Sequence, residues 1–375
     1  DQSIGDIVKW RWDFGDEFVP FIVSYGQKPE GTLVNTSIEL STTVPNISGN
    51  VIVARTNEIL LGQDLNNNGS IYEPILQFYD ISSNTLVNTT AIATNDTPSI
   101  SGDIIAFVTR ERDAQMDLNG DGQFSRDIVM FYNVRENKII STGAESVYYY
   151  QVDPSISGNI IAFVTFDSLT YKYFVRYFDK TVGRVFNTGG MIYTSSTPLV
   201  YGEVIAFPTY EAEYKGDLNG DGDYSDVVLR YFDITNNKLI NTAAEMWSTG
   251  FSIFMDKIAF ISYEGVVGAT GNDLNGDGDK NDFVVRYFDD SSGRIINTGA
   301  EVKKDSKLSM SEYIIAFITS EASMGRDLNG DGDTNDDVLR YYDLSKGTIV
   351  NTSAEIYSNP SVEGKRIAFV TGESS

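Results

Sequence analysis

The chain contains no cysteine and no histidine, and its 28 lysines and arginines stand against 53 aspartates and glutamates. Each shortage excludes chemistry. Without cysteine there is no disulfide, thiolate nucleophile, iron–sulfur cluster or thiolate-bound zinc. Without histidine the usual general base near neutrality, the imidazole metal ligand and every Ser-His or Cys-His triad are gone. A formal net charge of −25 opposes binding to a phosphate backbone, so no nucleic-acid partner is expected. No apolar run approaches the roughly 18 residues that cross a bilayer as a helix, so no transmembrane segment is expected. What is plentiful is carboxylate, amide and glycine, the donors and hinges of hard-cation sites, together with enough hydrophobic residues (41%) and aromatics (12%) for a packed core.

A length of 375 residues suggests two or three domains unless the chain repeats itself, and it does. Val51-Ile-Val-Ala54 is followed by Ile104-Ile-Ala-Phe107, Ile160-Ile-Ala-Phe163, Val204-Ile-Ala-Phe207, Lys257-Ile-Ala-Phe260, Ile314-Ile-Ala-Phe317 and Arg366-Ile-Ala-Phe369. Aligned on Ala54, Ala106, Ala162, Ala206, Ala259, Ala316 and Ala368, the spacings are 52, 56, 44, 53, 57 and 52. A second phrase, such as Val227-Val-Leu-Arg-Tyr-Phe-Asp233, and a third, such as Lys238-Leu-Ile-Asn-Thr242, recur in register. A weaker fourth, Pro98-Ser-Ile-Ser-Gly102, precedes the Ala-Phe phrase. These β-branched and aromatic runs, bounded by Gly, Asn, Asp and Ser, read as strands, and no stretch shows sustained helical periodicity. The fold class expected is all-β: a seven-bladed β-propeller of four-stranded antiparallel blades. One blade is expected to join both ends of the chain, with Phe21–Gly26 and Thr32–Thr36 completing the repeat that stops after the last Ala-Phe strand, so that the ring closes. The domain division expected is an N-terminal strand-like extension over 1–19 and a single propeller over 20–375.

The run "PSISGDIIAFVT…DIVMFYN…NKIIST" resembles the repeat of TolB-type, WD40-like propellers. That resemblance covers nearly all of the chain from residue 20 onward and implies fold far more than function.

Between the second and third strands, five repeats carry an acidic loop of the form D-x-[DN]-x-[DN]-G. They begin at Asp64, Asp117, Asp217, Asp273 and Asp327; the third repeat has no such loop and is shorter by about its length. Oxygens at positions 1, 3 and 5 converge when the chain curls around an ion, and glycine at position 6 permits the turn. The metal ligands expected are Asp64, Asn66, Asn68 and Glu73; Asp117, Asn119, Asp121 and Asp127; Asp217, Asn219, Asp221, Asp223 and Asp226; Asp273, Asn275, Asp277, Asp279 and Asp282; and Asp327, Asn329, Asp331, Asp333 and Asp336. The motif resembles the Ca2+ loop of EF-hands and dockerins, grafted on a hairpin as a "calcium blade". It departs from them in having no flanking helices and an apolar position 12; the acid falls at position 10 instead. In the second loop position 10 is Arg126, and Asp127 follows one residue later. About five structural Ca2+ ions are the cofactor expected, and no catalytic residue is assigned.

Six Asn-x-Ser/Thr sequons, at Asn35, Asn46, Asn68, Asn88, Asn95 and Asn351, are either glycosylation sites or chance in an Asn-rich chain. Tyr148–Tyr150, Met191–Tyr193, Met246-Trp247 and Glu355–Tyr357 read first as core, with sugar stacking as the other reading. Glu145, Glu245, Glu301 and Glu355 recur after the Asn-Thr phrase and read as structural. Arg176, Arg230, Arg286 and Arg340 are expected to pair with acids. Val8-Lys-Trp10-Arg-Trp12-Asp-Phe14 alternates like a half-buried strand, to cover the closing blade or to add to a neighbouring molecule. The function expected is a secreted or cell-surface calcium-binding module, structural or adhesive, self-associating or bound to other surface proteins, and not an enzyme. The alternatives are a propeller that binds glycans and one that cleaves acidic polysaccharides with its carboxylates.

Overall fold

A computed structural model describes residues 22–23, 45–94, 97–147, 152–193, 196–247, 250–268 and 271–371. The extension over 1–19, Thr32–Thr36, Tyr148–Tyr150 and the sequons at Asn35 and Asn95 lie outside the described residues. The chain is all-β: six four-stranded antiparallel sheets and one of three strands follow one another along the sequence, an arrangement consistent with a seven-bladed propeller. Each four-stranded sheet is built from consecutive strands. In the second repeat these are Ser99–Ser101, Ile104–Arg110, Asp127–Asn133 and Lys138–Ser146. They correspond in order to the four sequence phrases. The three-stranded sheet contains both Ile22–Val23 and Arg366–Ala368, paired Ile22↔Ala368 and Val23↔Ile367.

Register corrects one detail of the alignment. Ser99 faces Ala106, Ser155 faces Ala162 and Ser309 faces Ala316, but in the first sheet Asn46 faces Val53. Val53, not Ala54, is the equivalent of the repeated alanine, so the first spacing is 53 (106 − 53).

By contacts the chain divides into two compact units. One comprises Val34–Gly216 and Val228–Asn241; the other comprises Asp1–Leu33, Asp217–Val227 and Thr242–Ser375. In the first unit Val53, Leu76 and Phe78 pack on Ile105, Phe107 and Tyr132 of the next sheet, and Ala106 and Phe131 pack on Ile161, Phe163 and Phe178 of the one after. In the second unit Ala259, Ile261 and Tyr287 pack on Ile315, Phe317 and Tyr342, and Ile318 and Leu339 on Phe369. The second and third strands are therefore covered on both faces. That is why their phrases are nearly continuous in apolar residues instead of alternating. Phe107, Phe207, Phe260 and Phe317 are fully buried, each contributing roughly 1.5–3 kcal/mol of transfer free energy.

The polar letters of the repeats have structural causes. In Pro-Ser-Ile-Ser-Gly the glycine turns at positive φ (58° at Gly102, 55° at Gly158). Its N–H donates to a serine of the preceding sheet: Gly102 to Ser48 Oγ and Gly158 to Ser101 Oγ, both at 2.9 Å. In the Asn-Thr phrase the threonine hydroxyl pins a β-bulge. Thr352 Oγ1 donates to Leu339 O at 2.6 Å and accepts the Ala354 N–H at 3.2 Å, while Ser353 between them takes φ 55°. Thr188 repeats this with Val175 and Gly190. The bulge shifts the register between the third and fourth strands and sets the direction of the residues that follow it.

Candidate metal centre

Four of the five acidic loops hang on a glutamate that the motif does not include. Glu58, Glu111, Glu264 and Glu321 follow the second strand directly, and all are fully buried. A buried carboxylate must be hydrogen-bonded to persist, and these accept the N–H groups of the loop. Glu321 Oε1 takes Leu328 at 2.5 Å and Asn329 at 3.0 Å, and Oε2 takes Asp336 at 3.4 Å. Glu264 takes Leu274, Asn275 and Asp282 in the same way, and Glu111 takes Leu118 and Arg126. Glu111, Glu264 and Glu321 thus grip both the start of the loop and position 10, closing it at its two ends, while Glu58 takes only Leu65 and Asn66. The same glutamates open one-turn helices at Glu58–Leu61, Glu111–Ala114 and Glu321–Met324. Four residues are too few to show a helical period in sequence. Glu211 begins a fourth such helix, Glu211–Tyr214.

The leucine at position 2 is held from its other side. Leu65, Leu274 and Leu328 carbonyls accept the amides of Asn88, Asn297 and Asn351, each at 2.7 Å. Two sequon asparagines, Asn88 and Asn351, therefore use their side-chain nitrogen to fasten the loops. A third, Asn46, donates to Pro98 O at 2.8 Å, and Asn68 sits within the first loop.

Inside the loops side-chain oxygens accept backbone N–H groups of the same turn. Asp327 Oδ2 accepts the Gly332 N–H at 3.0 Å, Asn329 Oδ1 that of Asp331, and Asp331 Oδ1 that of Asp333. Asp64, Asp117, Asp217 and Asp273 accept the N–H of their own position 6. There φ runs from 82° to 106°, a conformation for which glycine is the natural residue. The acids at position 10 join the group: Asn219, Asn275 and Asn329 donate Nδ2 to Asp226, Asp282 and Asp336 at 2.9–3.0 Å. Glu264, Asp279 and Asp282 bring one oxygen each within 4.8 Å of one another, as do Glu321, Asp333 and Asp336. These acidic clusters could hold a metal ion.

Crowding of like charges shows in the titration of the acids. Burial, the larger cause, and Asp277 raise Asp282 to about 6 although Asn275 opposes them. At Asp336 the Asn329 hydrogen bond lowers the value, but partial burial and Asp331 outweigh it and raise it to about 6. Around the first loop Glu58 Oε2 and Glu73 Oε2 are buried and meet no donor; burial, then Glu73, raise the Glu58 carboxyl. An all-oxygen donor set with carboxylate oxygens left facing one another fits a hard divalent cation, which would neutralise them.

Two expectations need correction. Asp127 does not close the second loop: it begins the third strand, is buried, and pairs with Arg110 Nε at 3.1 Å. Arg230, Arg286 and Arg340 form no ion pair with an acid among the described residues. Arg230 lies over the Tyr214 ring at 5.0 Å, Arg286 over Phe260 at 5.8 Å, and Arg340 donates to Met324 Sδ. The core reading holds for Met191, Ile192, Met246 and Ile356, all buried. Trp247 packs edge-on against Tyr263 and Phe283, while Tyr357 is exposed. In the third repeat Asp167 and Lys172 face each other across a short turn, so that hairpin lacks both loop and clamp. The clamping glutamates were missed in sequence, yet a signal exists. Glu stands five residues after the repeated alanine in every loop-bearing repeat (after Val53 in the first), and Asp167 stands there in the loopless one.

No protein-family model matches the chain, and no curated protein does. Among solved structures it is similar to the β-propeller domain of the Trilobed protease from Pyrococcus furiosus, with 11% identity, 86% of each chain covered and a TM-score of 0.48. It is also similar to an oligogalacturonate lyase in complex with manganese (10% identity, 79% of this chain and 83% of that one, TM-score 0.44). A third is TolB from Acinetobacter baumannii (11% identity, 86% of this chain, TM-score 0.42), of which this chain spans 64% of the length. These matches overturn the expectation that the chain is not an enzyme: they include a protease domain and a lyase, so that exclusion is withdrawn. Among the described residues no helix is long and apolar enough to cross a membrane.

Proposed function

We propose that the chain is a seven-bladed β-propeller, closed by pairing of its two ends over 20–375, whose acidic loops bind Ca2+ and which serves outside the cell or on its surface as a structural or adhesive module. The observation that carries this reading is the loop itself: the same carboxylate clamp and the same curl recur along the chain. Calcium is favoured over magnesium because the loops present many protein oxygens in a flexible turn, whereas magnesium keeps its waters. Sites of this kind suit extracellular calcium, and an ion bound only by the native state stabilises it by about 2.7 kcal/mol at a hundredfold excess over Kd. Self-association is assigned to the N-terminal strand-like segment, in which Val8–Phe14 alternate apolar and charged residues as a donated strand would.

The test compares the full chain with one lacking residues 1–14, by light scattering and thermal unfolding, in calcium and in EDTA. The expected result is a lower melting temperature in EDTA for both, and assembly in calcium only when 1–14 is present. An unchanged melting temperature in EDTA removes the calcium reading. Assembly without 1–14 removes the strand-donation reading.

A further inference from the structure

We propose that the glutamates ending the fourth strands, Glu245, Glu301 and Glu355, supply the closing carboxylate of the metal sites at 217–226, 273–282 and 327–336. We propose also that in the second loop the Arg126 guanidinium takes the place of a position-10 ligand. This rests on the calcium reading above and says how those sites are completed.

The need for an outside ligand comes from position 12. In helix-flanked loops that position carries the bidentate glutamate. Here it is Ile75, Ile128, Val228, Val284 or Val338, each fully buried, because the third strand has already begun and its side chain belongs to the core. The sheet register offers a substitute directly across the strand pair: Val284 faces Glu301, Val338 faces Glu355 and Ile128 faces Glu145. Opposed residues share a face of the sheet, and so do residues two apart along a strand. The glutamate therefore stands on the side of the sheet that position 10 approaches.

Its surroundings point to a cation. Glu301 is only 5% exposed, yet its Oε1 has no hydrogen-bond partner. At the 217–226 loop, Glu245, Asp221 and Asp226 each present an oxygen within 4.8 Å of the others. That spread suits ligands at the 2.3–2.6 Å of calcium, roughly 5 Å across at most. Glu245 Oε1 also accepts Asn219 Nδ2, from position 3, at 2.7 Å.

The repeats provide their own comparison. The repeat without a loop has Met191 at this place. The second repeat has both the glutamate and an arginine at position 10, and there Arg126 Nε lies 3.6 Å from Glu145 Oε1. The first has Ile92 facing Ile75, but it carries the longer Glu73 at position 10 beside buried Glu58. Among the described repeats glutamate at this place thus occurs only beside a loop, in four of the five, and where position 10 is cationic the glutamate pairs with that cation.

The experiment uses the full chain, stripped with a chelator and titrated with Ca2+ by calorimetry, with bound ions counted by native mass spectrometry. Glu301→Gln and Glu245→Gln are each expected to weaken one site at least tenfold, and Arg126→Asp to strengthen the second loop. Melting temperatures separate a ligand from a packing role. In EDTA Glu301→Gln should melt no lower than the parent, since the oxygen it neutralises has no donor to lose, whereas in calcium it should melt lower. If the parent takes up no calcium, the loop reading itself fails. If the parent binds and both Gln variants keep its stoichiometry and affinity, or Glu301→Gln melts lower in EDTA and calcium alike, the closing-ligand proposal is overturned while the loop reading stands.

Discussion

Replacing Glu321 tests the clamp independently of any ion. The side chain is fully buried and receives N–H groups from Leu328 at 2.5 Å, Asn329 at 3.0 Å and Asp336 at 3.4 Å. The last is long enough to count for little. Hydrogen bonds to an ionised group are worth roughly 1.5–3 kcal/mol each. Glu321→Ala should therefore cost about 3 kcal/mol, taking the low end because the freed amides in this surface loop regain water. At about 2 °C per kcal/mol for a chain of this size, the melting temperature in EDTA should fall by about 6 °C. Glu321→Gln keeps an oxygen where Leu328 and Asn329 donate but loses the charge, and should fall by about half as much. Hydrogen exchange at the Leu328 and Asn329 amides should quicken in the same order. A Glu321→Ala protein that melts within about 1 °C of the parent, or a Gln variant as damaged as the Ala variant, would refute the clamp.

The bulge threonines should behave alike with and without a loop. Thr352→Val and Thr188→Val each delete a buried hydroxyl that donates to a carbonyl and accepts an amide. Each should cost about 1–3 kcal/mol by denaturant unfolding, equally in calcium and EDTA; a calcium-dependent loss at Thr188 would tie the bulge to the metal. Asp343 gives a pH signature. Its carboxylate accepts from Ser345 and Lys346 and is lowered from 3.8 to about 2, first by the Ser345 side chain. As the pH falls, the unfolded state takes up the proton first. The stability this group contributes is thus complete above about 4 and is lost toward 2. Asp343→Asn should flatten the pH dependence of unfolding in that window, and an unchanged slope would count against the turn as its source.

Much of this was legible in the chain itself. The seven repeats, the four strands of six of them and the five loops follow from local patterns: β-branched runs, turn residues, and side-chain oxygens at alternate positions with a glycine after them. These are short-range properties, encoded in neighbours and repeated often enough to be read without a partner. The clamp was only half legible, because Glu264 lies next to its strand but acts on Leu274, ten residues later. A contact of that kind appears only when the chain folds back.

Tertiary structure decided the rest. Sequence assigned Asp127 to a loop; the start of the third strand gave it to Arg110 instead. Sequence paired the strand arginines with acids; folding within each repeat laid them on rings and a thioether of the neighbouring strand or one-turn helix, where burial disfavours their charge. The sequon asparagines looked like surface acceptors, and two of them proved to hold loop carbonyls. Which glutamate faces which loop depends on strand register, and register depends on a bulge that adds two residues to the fourth strand. The absence of cysteine and histidine already confined the metal chemistry to oxygen. Which carboxylates come together was decided by folding, because Glu264 and Glu321, at the ends of second strands, meet acids of the loops that follow them.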